Sequence, residues 1–134
     1  MALKITFLGH AAFLLSDGKD SMVIDPFLSG SPVAAVKPDE IEVDYVALTH
    51  GHPDHFGDTI DILKKNDAVF IGANEIALYV GEQGIEKIEP GNPGGTIATS
   101  FGSVTFTHAF HSSSYEGRYM GMPCGLIVEM GGKR

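Results

Sequence analysis

Between residues 50 and 55 the chain reads His-Gly-His-Pro-Asp-His, three imidazoles and a carboxylate in six positions. With this chain's composition, chance would give such a window in roughly one sequence per thousand of this length, so the cluster calls for a chemical reason. Residues 43–49 before it are β-prone, and residues 58–65 after it set Ile60, Leu63 and Lys64 at helical spacing. The fold must therefore hold the cluster where a strand passes into a helix. On extended backbone, side chains two apart point the same way, so His50 and His52 can meet one ion while Asp54 and His55 turn into the helix and face a second point. Gly51 removes a side chain from the crowded gap, and Pro53 stiffens the turn. The competing readings are a solvated loop of titrating histidines and a metal-binding loop without catalysis.

The flanking sequence supplies the scaffold. Residues 4–8 and 11–15 are short apolar segments around Gly9-His10, and the turn cluster at 16–20 precedes a strand at 22–24, which together read as an antiparallel opening. Asp25-Pro26 stops that strand, and residues 27–38, rich in Gly, Ser and Pro without period, form a loop of the kind that borders a site. Residues 68–72 are a second β-prone run after the cluster; Asn74 is placed to cap a helix running through Gly81, and Gly84 lies where a helix C-terminal glycine is expected. Residues 96–99, 103–107 and 125–130 read as a strand meander. The expected fold class is α/β, one domain over residues 1–134.

Composition narrows the chemistry. The single Cys124 leaves no thiolate cluster to hold a metal and fits a reducing compartment, so ligands must be His and carboxylate. The net charge of −8, with few and scattered Lys and Arg, makes nucleic acid a poor partner. No apolar run approaches the roughly 18 residues that span a bilayer, and the first sixteen residues show neither basic leader nor cleavage site, so a soluble cytoplasmic protein is expected. A catalytic site needs three protein ligands, so a distant third must join His50 and His52. His111, after residues 103–107 and followed by Ser112-Ser113-Ser114, is the candidate, with His108 competing for the role. The serines sit in no readable acid-base arrangement, and no Gly-x-Ser-x-Gly motif is present.

Residues 50–55, together with Leu8-Gly9-His10, Ile24-Asp25-Pro26-Phe27 and Ala109-Phe110-His111-Ser112-Ser113, resemble the metallo-β-lactamase superfamily, in particular its small UPF0173-like metal-dependent hydrolases related to ascorbate-phosphate lactonases. The resemblance runs in order along nearly the whole chain. It implies the N-terminal part of an αββα sandwich, a mixed sheet with helices on one face, with the metal site at one edge of two facing sheets. It also implies that His50, His52 and His111 hold one metal, and that Asp54 and His55 contribute to a second, with Asp54 positioning or deprotonating the bridging water. Asp25 would resemble the acid that braces the metal loop from behind, although an aspartate before Pro26 also reads as a turn former. His10 would approach from the first hairpin and contact substrate or a developing charge.

Relatives of this kind continue further and in that continuation supply a bridging aspartate in a Gly-Asp-Thr segment and one more histidine, neither of which follows His111 here, the chain's own Gly57-Asp58-Thr59 standing just after the cluster. The open accounts are cleavage after Lys133-Arg134, a truncated reading frame, or a half that associates with itself or with a missing second half, leaving apolar surface to be covered. The expected activity is hydrolysis of a small ester, lactone or phosphoester by a metal-bound hydroxide. Zinc is the first expectation, as one or two ions, with manganese, iron and nickel accepting similar donors. The alternative is a non-catalytic metal-binding half-domain.

Overall fold

Strands whose side chains are buried on both faces set the architecture. In the computed structural model, which describes residues 2–134, β1 (Lys4–Gly9), β2 (Ala12–Ser16), β3 (Ser21–Ile24), β4 (Tyr45–Ala47), β5 (Val69–Ala73) and β6 (Ile88–Gly91) lie side by side in sequence order. The first three pair antiparallel and the rest parallel, giving a mixed sheet. The crossovers carry α1 (Pro53–Phe56) and α2 (Thr59–Asn66) between β4 and β5, and α3 (Asn74–Glu82) between β5 and β6. Beyond them come β7 (Thr96–Thr99), β8 (Gly102–His108), a two-strand ribbon of β9 (Ser114–Tyr115) and β10 (Arg118–Tyr119), and β11 (Cys124–Met130). β8 is the centre of a second, three-stranded antiparallel sheet between β11 and β7.

Successive residues serve different layers. Val23, Val46, Leu48 and Phe70 pack with Ile62, Leu63, Ile76 and Val80 of the helices, whereas their neighbours Met22, Ala47 and Ile71 pack with Val104, Phe106 and Met130 of the second sheet. This period of two, apolar on both faces, is what a central parallel strand covered on each side requires. Phe70 and Ile71 are wholly buried, each gaining roughly 2–3 kcal/mol from removal of apolar surface from water. Helices thus cover one face of the mixed sheet and the second sheet covers the other, as the resemblance implied, and among the described residues no helical one enters the inter-sheet cluster. Among the described residues no helix is long and apolar enough to cross a membrane.

Three local expectations need correction. Asn74 does not cap α3: the cap position is Ala73, the last residue of β5, and Asn74 begins the helix with its side-chain amide on Glu75. The chain turns from buried strand into helix with no polar residue between them. β6 escaped notice because Pro90 and Gly91 read as breakers, yet as the edge strand of the sheet it tolerates a residue without an N–H. The hairpin of β9 and β10 also escaped notice; its turn places Glu116 and Gly117 both at positive φ, the signature of the tight turn that matches strand twist. Gly84, by contrast, follows α3 at φ 93°, where a glycine terminator belongs.

Ile5, Phe7 and Phe13, on β1 and β2, stay outside both clusters, with Ile5 61% and Phe7 58% exposed. The Phe7 and Phe13 rings pack on each other with centroids 5.2 Å apart.

Candidate metal centre

The His-rich segment leaves the C-terminal end of a central parallel strand, where open α/β sheets place ligands. Leu48 still donates its N–H to the Ile71 carbonyl, and Thr49 accepts the N–H of Cys124, so the segment is stitched to β5 on one side and to β11 on the other. His52 then takes the position before α1, with Pro53 as the first helical residue, where its fixed φ suits the helix and its missing N–H costs nothing. Phe56 anchors this single turn in the core against Tyr115, ring centroids 4.4 Å apart. Asp54 and His55 are left to face the site.

The structure brings His50, His52 and His111 together. Ring centroids are 4.8 Å apart for His50 and His52, 4.8 Å for His50 and His111, and 5.1 Å for His52 and His111, with one nitrogen of each ring within 4.8 Å of the others. His108, the last residue of β8, is exposed opposite Cys124 and belongs to none of the donor groups found among the described residues. A second group places His10 Nε2 3.0 Å from Asp54 Oδ2, and His55 Nε2 3.8 Å from Asp54 Oδ1. His10 sits at φ 56°, with its ring edge-on to Phe27 at 5.5 Å between centroids. The two groups adjoin, since the His50 and His55 rings are 4.1 Å apart.

Asp25 lies behind both groups. It is 2% exposed and held at φ 47°, a conformation that non-glycine residues adopt only when their surroundings impose it. Oδ1 accepts the Thr49 N–H at 2.8 Å, while Oδ2 accepts the Thr49 hydroxyl at 2.6 Å and is 2.9 Å from His55 Nδ1. The carboxylate is therefore spent on the His-rich loop, and its own turn is closed by backbone, Phe27 N–H to Asp25 carbonyl.

Electrostatics separate the rings. Burial, followed by the charge of His55, holds the His50 pKa down to about 4, so this ring is neutral at pH 7 with a lone pair to offer. The hydrogen bond to Asp25 raises His55 against the opposing effect of its burial. Burial pushes Asp54 up, but the hydrogen bond from His10 and the charge of His55 outweigh it, and its carboxyl ends below the usual range. His50 Nε2 is buried without a hydrogen-bond partner. A buried polar atom without a partner is costly, and here it belongs to the neutral donor that a divalent cation takes. The donor set, all imidazole and carboxylate, fits zinc and its neighbours.

Two contributors were not visible in the sequence. Ser113 is buried, accepts the Gly51 N–H at 2.9 Å and donates to the Met120 carbonyl at 3.3 Å, fastening the loop that carries His111 to the loop that carries His50. Ser112 Oγ lies 3.2 Å from His52 Nε2. Both looked like loop polarity, because a lone serine carries no periodic signal. Gly51 lies in the gap expected for it: a Cβ there would meet Met120 Cβ and Cγ at 2.6 Å. Gly51→Ala should cost about 1–3 kcal/mol of stability, read as a lower urea midpoint with unchanged slope; an unchanged midpoint would contradict this packing.

Residues 5–118 match the family profile of the metallo-beta-lactamase superfamily. The chain belongs to that superfamily. Similar members include proteins named UPF0173 metal-dependent hydrolase from Thermus thermophilus, 45% identical over 98% of this chain and 58% of the relative, and from Staphylococcus carnosus, 41% identical over 98% and 60%. This superfamily member therefore spans less than two thirds of the curated relatives it matches. Among solved structures, Igni18, a metallo hydrolase from Ignicoccus hospitalis, superposes with a TM-score of 0.82 at 29% identity, over 97% of this chain and 57% of that one. A putative metal-dependent hydrolase from Parabacteroides distasonis, 20% identical over 96% and 56%, gives 0.72 and shows the shared fold.

Proposed function

We propose that this superfamily member forms the metal-holding part of a hydrolase acting on small esters, lactones or phosphoesters. The observation that carries the reading is the convergence of His50, His52 and His111, with the Nε2 of His50 buried and without a partner. These three would hold one cation, zinc first and manganese, iron or nickel as alternatives, and Asp54 with His55 would contribute to a second. A cation so held supplies Lewis acidity toward the attacking water and the carbonyl or phosphoryl oxygen of the substrate.

The chain's own groups do the remaining work. Asp54, ionised and half exposed, is placed to accept a proton from water, and His10 at 3.0 Å can pass that proton onward or stabilise the charge that develops. Asp25 keeps the His55 ring in place from behind. A second reading, a metal-holding half-domain without turnover, is favoured by one observation, the exposure of Ile5 and Phe7, which suits a surface that associates with further protein.

Metal analysis beside assays on an aryl ester, an aryl phosphodiester and a lactone decides between them. The hydrolase reading expects turnover of at least one substrate that disappears with chelator and returns with zinc or manganese. Bound metal with no turnover on all three substrates would support the half-domain reading.

A further inference from the structure

We propose that Thr49 is a positioning residue that, with Asp25, fixes the proton on Nδ1 of His50 and so presents its Nε2 bare to an ion. The inference rests on the metal-centre reading above and goes beyond it by assigning a residue whose side chain never touches the ion.

The Thr49 hydroxyl carries one proton and stands between two heteroatoms, Asp25 Oδ2 at 2.6 Å and His50 Nδ1 at 2.9 Å. A carboxylate only accepts, and two oxygens 2.6 Å apart without a proton between them repel, so the hydroxyl proton lies toward Asp25. Only a lone pair of Thr49 then faces His50, and a lone pair facing Nδ1 is satisfied only if Nδ1 carries the ring proton. One proton on a neutral imidazole leaves Nε2 bare. That atom is the buried one that lacks a partner, on a ring whose centroid lies 4.8 Å from those of both His52 and His111.

The backbone groups of Thr49 are committed on both sides. The Thr49 N–H goes to Asp25 Oδ1 and its carbonyl to Cys124, so backbone on both sides locks the hydroxyl in place. Asp25 Oδ2 also lies 2.9 Å from His55 Nδ1, so one carboxylate orders a ring in each of the two donor groups. The strained φ of Asp25 is the geometry that lets a single side chain reach both. In a free histidine the other tautomer predominates or interchanges, and an ion must then pay to reorganise the ring; a preset tautomer removes that cost.

The test has two arms on the full 134-residue chain. In metal-free protein labelled with 15N in its histidine rings, long-range proton–nitrogen correlation at pH 7.5 should show His50 with a protonated Nδ1 and an unprotonated Nε2. The reverse pattern, or averaged shifts, overturns the proposal without any variant. Zinc affinity, measured by competition with a chromophoric chelator, should fall about 10–100-fold in Thr49→Val and stay within about threefold of the parent in Thr49→Ser, which keeps the hydroxyl. Equal affinity in Thr49→Val overturns the proposal while leaving the metal centre standing. Absence of zinc binding in the parent instead removes the metal-centre reading, and the nitrogen shifts still decide the proton assignment.

Discussion

Replacing His52 with Ala is expected to weaken zinc binding about a thousandfold, and His111→Ala by a similar factor, whereas His108→Ala should leave it within about twofold. The factor follows from removing one of three imidazoles from a site whose ligands together contribute on the order of 10 kcal/mol, about 4 kcal/mol for one of them. His52 is the cleanest position for the test because its ring is half buried and hydrogen bonded only to Ser112, so its loss leaves the core intact. His50 would be a poorer choice: its ring is buried and satisfies Thr49, and truncation would disturb packing as well as ligation. The pairing of His52 with His111 gives the result its force. The two are 59 positions apart in sequence, and equal losses from both, with none from His108 beside them, follow only if two distant loops serve one ion. Titration against a chelator of known affinity reads all three variants; equal affinity in His52→Ala and the parent would mean that the ion sits elsewhere.

Gly57→Ala is expected to cost about 3 kcal/mol or more and to lower the melting temperature on the order of 10 °C. Gly57 follows α1 at φ 45° and ψ −123°, a region open almost exclusively to glycine. An added Cβ would lie 2.5 Å from Phe27 Cα and from the Pro26 carbonyl oxygen, and 2.8 Å from Phe27 N. These are backbone atoms, so no rotamer change relieves the clash. The segment that must move is the one that carries Asp25, and it is clamped by Asp58, which donates its N–H to the Pro26 carbonyl and whose carboxylate takes the N–H groups of Leu28 and Ser29. Loss of metal affinity should therefore accompany loss of stability. Gly84→Ala is the control, because its Cβ meets nothing within 4 Å and only the positive φ is lost, at a cost of about 1 kcal/mol. Thermal unfolding of the two variants compares them directly; similar melting temperatures would show that the 26–27 segment is not packed as described.

The sequence displays its candidate metal ligands openly because they crowd into six residues, a density that composition alone does not produce. It also displays the sheet, since residues such as Met22-Val23 and Phe70-Ile71 are apolar on both faces and only a strand covered on both sides keeps them dry. What it hides is whatever depends on one polar atom reaching across the fold. Thr49 reads as the last residue of a β-prone run, Ser113 as one serine of three, and Asp25 equally well as a turn former or a brace; only the approach of residues 24 to 62 positions apart in sequence gives each its partner. The third imidazole is legible as His111 with His108 as its competitor, and only the backbone after β8 separates the two by carrying His111 over the cluster. β6 was hidden by a proline that an interior strand would reject and an edge strand accepts.

Anomalous diffraction from zinc-soaked crystals of this chain tests most directly whether three imidazoles from two loops meet at one ion. The expected result is a single strong peak about 2.0–2.1 Å from a ring nitrogen of each of His50, His52 and His111, with Nε2 as the donor from His50. A peak bound by His108, or by any one of the three without the other two, would contradict the account.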